Sequence, residues 1–261
     1  MCTVIITVPE SSAQPVRLLA IRDEDPGRAW DRLGPWWPDA YPGVLGIRDA
    51  RAGGAWLAAN PGERRLAVLL NRIDRSDRSE AELHTRGTVT LESVVGRPPS
   101  RHPATHGFNL VEVTAHSARV VSWDGLQSTV VDLAPGTHMV AHHDVDDVET
   151  ERIARWLPAF RDASASDASA GDASAGDASA GAASPAGVAG HGEWWDAWMS
   201  VVARSAELPA TDAAAIIRRQ SFEGIPSYSL LVCVASVGES GLDVHDAPLE
   251  TPGVWSPLAL D

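Results

Sequence analysis

Basic residues, cysteines and long apolar runs are all scarce in this chain. Twenty-one Lys and Arg stand against 35 Asp and Glu, a formal net charge of −14 over 261 residues. That balance argues against nucleic acid and anionic membrane surfaces as main partners. Part of it is concentrated in one low-complexity stretch, so the rest of the chain is less acidic than the total implies. Two cysteines, Cys2 and Cys233, argue against a disulfide scaffold and make a reducing cytoplasm the expected setting. No apolar run approaches the roughly 18 residues of a membrane span. The N-terminus shows neither the basic region nor the long apolar stretch of a secretory signal. Phe and Tyr are few, 3 and 2, whereas Trp reaches 10. Trp is rarely wholly buried, so some of these are expected to line a groove. What remains, 44% hydrophobic and 21% charged residues, is enough for a sizeable core, and a single domain over residues 1–261 is the expectation.

Period-2 alternation dominates the first half of the sequence. Cys2, Val4, Ile6 and Val8 fall on one strand face, and Thr3, Ile5 and Thr7 on the other. Further strand candidates lie at 16–21, 44–49, 55–59, 66–70, 108–114, 119–123, 129–133 and 137–141, separated by turn residues. Residues 30–41 read as an irregular loop or short helix, and 88–95 as helix or strand. The period then changes. Ile153, Trp156, Leu157 and Phe160 repeat at i, i+3, i+4, i+7, the spacing of an amphipathic helix. From Asp162 a five-residue Asp-Ala-Ser-Ala-Gly unit repeats and decays towards His191. It has almost nothing to bury, so residues 162–191 are expected to be a disordered insertion. Helical spacing returns at Trp195, Trp198, Met199 and Val202, a stripe read as core. Thr211 or Asp212 is placed to cap a short helix to Arg218, and strands are expected at 228–237 and 242–246. Strands, then helices, then strands make an α+β fold.

Cys2 is the first candidate for chemistry. A side chain this small permits removal of Met1, which would place a thiol and a free α-amine on one residue. Both groups titrate not far above neutral pH, so the amine can act as base toward its own thiol. The alternative is that Cys2 is only the second residue of a core strand. If strands one and two form a hairpin, Arg22 and Asp23 lie within reach of the thiol; without chemistry they are a structural ion pair. His142-His143-Asp144 invites a metal reading, but adjacent histidines on a strand face opposite ways, so no metal is expected. Cys233, in an apolar run, reads as an inert buried thiol.

Six short motifs occur in order: Ile21-Arg22-Asp23-Glu24, Gly53-Gly54-Ala55-Trp56-Leu57, Leu69-Leu70-Asn71-Arg72, Thr85-Arg86-Gly87, Gly107-Phe108-Asn109-Leu110 and Leu133-Ala134-Pro135-Gly136-Thr137. Together with the Met1-Cys2 start they resemble the NRDE family, also called the transport and Golgi organization family, over roughly residues 1–160. Asp49 matches a further G-x-D of that family, and is read as either a turn-former or a site residue. The resemblance implies an Ntn-hydrolase-like fold, a four-layer αββα sandwich of two antiparallel sheets between helix layers. It implies Cys2 as nucleophile, Arg22 and Asp23 as its orienting groups, and Asn71 and Asn109 as oxyanion donors toward a small amide. It also implies an alternative, a non-catalytic protein that binds or traffics haem or a lipid-like thioester. No cofactor is implied by the first reading and haem by the second. Two positions depart from the family pattern: Ile21 stands where the name motif has Asn, and residues 224–227 read Gly-Ile-Pro-Ser where an Arg is usual.

Overall fold

The computed structural model describes residues 2–174, 192–222 and 224–260. In chain order it begins with β1 (Thr3–Val8), β2 (Val16–Glu24), β3 (Trp30–Gly34), β4 (Leu45–Asp49), β5 (Ala55–Asn60) and β6 (Arg65–Asn71). A short 3-10 turn at Glu80–Glu82 and helix α1 (Gly87–Val94) follow, then β7 (Phe108–Val113), β8 (Ala118–Trp123), β9 (Ser128–Asp132) and β10 (Gly136–Val140). Helices α2 (Glu151–Ser174) and α3 (Asp196–Ser205) precede β11 (Arg219–Phe222), β12 (Ile225–Gly238) and β13 (Gly241–Pro248). The α+β class is as expected.

The strands form two antiparallel sheets. One runs β10-β1-β2-β12-β11, with β13 also paired to β12; the other runs β3-β4-β5-β6-β7-β8-β9 in simple chain order. Alternation decides what each face buries. Val4, Ile6 and Val8 of β1, with Leu18 and Ala20 of β2, pack against Ile47, Leu57, Val68, Leu70 and Val111 of the second sheet. The opposite face of the first sheet, including Ile5, Leu19, Ile21 and Val232, packs on Ile153, Trp156, Leu157 and Phe160 of α2 and on Trp198, Val201 and Val202 of α3. The opposite face of the second sheet, including Ala67, Leu69 and Phe108, packs on Leu91 and Val94 of α1. The Trp195/Trp198 stripe is therefore largely core, with Trp198 3% exposed.

Three local expectations change. Residues 30–34 form a strand, because β3 supplies the edge partner of β4 through Trp30–Asp49 and Gly34–Gly46. No helix forms at 211–218; Asp212 instead closes a turn, its Oδ1 accepting the Ala214 N–H at 2.8 Å. Helix α2 continues to Ser174, into the span expected to be disordered. A helix already nucleated by its packed first turns propagates cheaply, and an Ala-rich sequence has the highest propensity to let it do so. Ser164 is tied down within that extension, its Oγ lying 2.9 Å from Thr137 Oγ1 and accepting from Trp198 Nε1 at 3.1 Å. Residues 175–191 of the expected insertion lie outside the described residues.

Candidate functional site

β1 is an interior strand, bonded to β10 on one side and β2 on the other. Cys2 continues its inward face and is 6% exposed. The Thr3–Ile21 pairing brings the thiol beside the Arg22-Asp23 peptide. The Asp23 N–H donates to Sγ at 3.4 Å, and the thiol reaches the Asp23 carbonyl oxygen at 3.6 Å.

Arg22 and Asp23 are successive strand residues, so they leave β2 on opposite sides. Arg22, 2% exposed, packs over the Trp30 ring at 5.6 Å and lies 3.5 Å from Glu24 through Nη2. Its Nη1 is buried without a hydrogen-bond partner. Asp23 accepts the Ser229 hydroxyl at 2.6 Å, and Ser229 Oγ in turn accepts the Arg218 N–H at 2.9 Å. Arg152, fully buried on α2, stands near enough to Asp23 and Cys2 to feel both charges; burial first, then Arg218, lower its pKa to about 10. None of Arg152, Arg218 and Ser229 is singled out by the sequence motifs. For Arg152 a signal exists, since it shares the four-residue spacing of Trp156 and Phe160 and so falls on the buried stripe of α2.

Around Cys2 lies a cavity of about 150 Å³, lined by Arg22, Asp23, Trp56, Asn71 and Arg86 among others. Asn71 ends β6 and is exposed, but it faces the same cavity as Cys2. Arg28 closes one side, 2.6 Å from Asp49 and 4.0 Å from Glu24. Asp49 is both a turn-former and a lining residue: its Oδ1 accepts the Arg51 and Ala52 N–H groups at 3.0 Å each while Oδ2 holds Arg28. The Gly53-Gly54 and Thr85-Arg86-Gly87 motifs meet here. A Cβ on Gly54 would lie 2.6 Å from the Gly87 Cα, so only glycine lets the start of α1 sit against the start of β5. That contact delivers Arg86 and the first turn of α1 to the cavity. Arg86 donates to the Gly107 carbonyl oxygen at 3.0 Å, and burial lowers its pKa. Trp56 Nε1, like Arg22 Nη1, is a buried donor with no partner, a condition that costs about 1–3 kcal/mol per group.

Asn109 does not join them. It is fully buried on β7, and its amide is spent. Nδ2 donates to the carbonyl oxygens of Ala141 at 2.9 Å and His143 at 2.7 Å; Oδ1 accepts from Ser122 Oγ at 2.7 Å and Arg72 Nη1 at 3.2 Å. Two donors and two lone pairs are all an amide has, so Asn109 ties β7 to the 141–143 backbone and has nothing left for an oxyanion. His142 and His143 lie beyond the end of β10, in a bend, with ring centroids 4.3 Å apart. They are not on opposite faces of a strand as the spacing suggests. His142 Nδ1 lies 3.3 Å from the Arg152 guanidinium, and burial followed by that charge pushes its pKa down to about 3. Cys233 is fully buried, with its pKa pushed well up by burial.

Burial, and after it the Asp23 carboxylate, raise the pKa of the Cys2 thiol; the charge at the chain's N-terminus, the Asp23 N–H and Arg22 act in the opposite direction without prevailing. The thiol is therefore a proton-bearing group that needs a base, not a standing thiolate.

The sequence profile of the Transport and Golgi organisation 2 (TANGO2) family matches residues 1–175. The chain belongs to that family. The matched region carries β1 to β10, α1 and α2, and every residue lining the Cys2 cavity falls inside it. No individual curated protein matches the chain. Of the two departures from the family pattern, neither reaches the cavity. Ile21 is fully buried on the opposite face of β2, against α2 and α3. Gly224, at φ +81°, begins the turn into β12 with Ile225 60% exposed.

Proposed function

We propose that this TANGO2-family chain is an amide hydrolase of the N-terminal-nucleophile type, with Cys2 as nucleophile. Its helix-sheet-sheet-helix packing suits the four-layer αββα architecture of such enzymes. One observation carries the reading: Cys2 begins an interior strand with its sulfur in a small polar cavity shared with Arg22, Asp23 and Asn71.

The chemistry begins once Met1 is removed. The α-amine of Cys2 takes the thiol proton as sulfur attacks the amide carbon, so no free thiolate accumulates. The C–S bond forms and the carbonyl oxygen takes up negative charge, toward which Asn71 donates. The Asp23 N–H steadies the sulfur, and the Asp23 carboxylate, held by Ser229, orients the amine. The C–N bond breaks as the ammonium returns its proton to the leaving nitrogen. Water then attacks the thioester, the carboxylic acid leaves, and the thiol is restored.

The second reading, a hydrophobic-ligand carrier, draws on a different cavity. About 570 Å³ in volume, it lies at the far end of β1 against Val8, Pro15, Trp194 and Trp198, within the usual size range of small-molecule sites. Haem does not fit it: none of the lining residues is a His, Cys, Met or Tyr that would ligate iron.

The test combines intact-protein mass with hydrolysis of a panel of small amides. Mature protein is expected to start at Cys2, and Cys2→Ala to lose turnover on the order of 10⁴-fold or more with unchanged melting temperature. Retained Met1 on active protein, or full activity in Cys2→Ala, defeats the proposal.

A further inference from the structure

The donors around Cys2 outnumber the acceptors that are free to meet them. Three acidic residues line the cavity, and the carboxylates of all three are engaged. Asp49 holds Arg28 and two backbone N–H groups. Glu24 faces Arg22 Nη2 and Arg28 and accepts the Asp25 N–H at 3.0 Å. Asp23 accepts the Ser229 hydroxyl. On the other side of the balance, Arg22 Nη1 and Trp56 Nε1 are buried with no partner. Arg86 makes one hydrogen bond, to a neutral carbonyl oxygen, and no ion pair within 4.0 Å among the described residues. The first turn of α1 presents its N-terminal end at Gly87, where the helix dipole favours negative charge, although the Gly87 and Val89 N–H groups are already engaged by Thr85 Oγ1 and the Arg86 carbonyl oxygen.

We infer that the cavity is built to hold a carboxylate, and that the substrate is a short amide bearing one. This rests on the Cys2-hydrolase reading for the word substrate, but the binding itself does not. A carboxylate brings charge and about four lone-pair sites, and it takes a guanidinium in a paired, planar geometry. Arg86 and the unpaired Arg22 Nη1 supply the charge, and Trp56 Nε1 a further donor. Size narrows the class further. A cavity of about 150 Å³ accommodates a ring of about six heavy atoms, so a propionate-sized fragment fits inside it. The Gly54–Gly87 contact gains a purpose, because it brings the helix end close enough to serve. The lowered pKa of Arg86 agrees: desolvation outweighs the pull of Glu24 and Asp74, an imbalance that an incoming anion would relieve.

The experiment uses Cys2 alkylation, read on the Cys2 peptide by mass spectrometry. Iodoacetate and iodoacetamide differ in charge and little in shape. Relative to free cysteine, Cys2 is expected to favour iodoacetate over iodoacetamide by about tenfold or more, the factor that one charge-assisted hydrogen bond from an arginine gives. Propionate is expected to slow iodoacetamide labelling with saturation, and propionamide to leave it unchanged. Arg86→Met should abolish both effects, and Arg86→Lys should retain part of the iodoacetate preference. No preference and no protection in the parent protein overturn the inference whatever the variants do. The two readings fail separately. Amide turnover without carboxylate protection removes the carboxylate site and keeps the hydrolase. Carboxylate protection without turnover of any carboxylate-bearing amide removes the hydrolase and keeps the site.

Discussion

Replacing Asn109 by Asp changes the chemistry of one atom and almost none of its volume. Nδ2, placed 2.9 Å from the Ala141 oxygen and 2.7 Å from the His143 oxygen, becomes a third oxygen facing two others. Both donated bonds are lost. An unsatisfied buried polar group costs about 1–3 kcal/mol, so the pair costs about 2–6 kcal/mol, a large share of the roughly 5–15 kcal/mol that holds a domain together. Arg72, 3.2 Å from Oδ1, offsets part of this while the new carboxyl is ionised. Protonation restores one donor, so the folded variant should hold the proton of that carboxyl above the usual carboxylate range. The folded state then binds more protons than the unfolded one. Stability relative to the parent falls as pH rises through that interval, and the loss is fully developed at pH 7. Urea unfolding of parent and Asn109→Asp at pH 5 and pH 7 measures both effects. A loss under about 1 kcal/mol at pH 7, the range of ordinary substitutions, would refute the structural role, the more so if turnover fell with stability intact.

Two further outcomes follow from burial. His142, with its pKa depressed to about 3 by burial and Arg152, should stay neutral in the folded protein down to about pH 4, as NMR titration of its ring would show. Because the unfolded imidazole binds its proton near pH 6.5, stability should be full above that pH and decline as pH falls toward 3; His142→Gln should flatten this slope, and an unchanged slope would remove His142 as its source. Gly54→Ala puts a Cβ 2.6 Å from the Gly87 Cα, so it should cost about 1–3 kcal/mol and speed Cys2 alkylation as α1 shifts away. An unchanged melting temperature and labelling rate would show that the two backbones are not in that contact.

The strands around the site are legible in the sequence because period-2 alternation is strong where one face meets a core. Spacing alone places Cys2 on one face of β1 with Val4, Ile6 and Val8. What alternation cannot supply is the partner across the gap. Asn71 and Asn109 stand in similar short motifs, yet one ends a strand at the rim of the cavity and the other is consumed by backbone carbonyls from residues 141 and 143. That difference depends on tertiary contacts more than thirty residues away. Arg86 is visible within a motif, but its placement depends on two glycines touching across the fold. The extension of α2 is hidden for a different reason: low apolar content reads as disorder, whereas continuation of an existing helix needs only propensity.

The position of β1 bears on how this protein can be handled. Its strand is enclosed by β10 and β2, and Cys2, at its head, is 6% exposed within the cavity. On the proposed mechanism the Cys2 nitrogen must be free to serve as base. A purification tag or reporter that stays joined ahead of Cys2 would turn that amine into an amide, and loss of function in such a fusion would say nothing about the native chain. Labels belong at the C-terminal end, beyond Leu260.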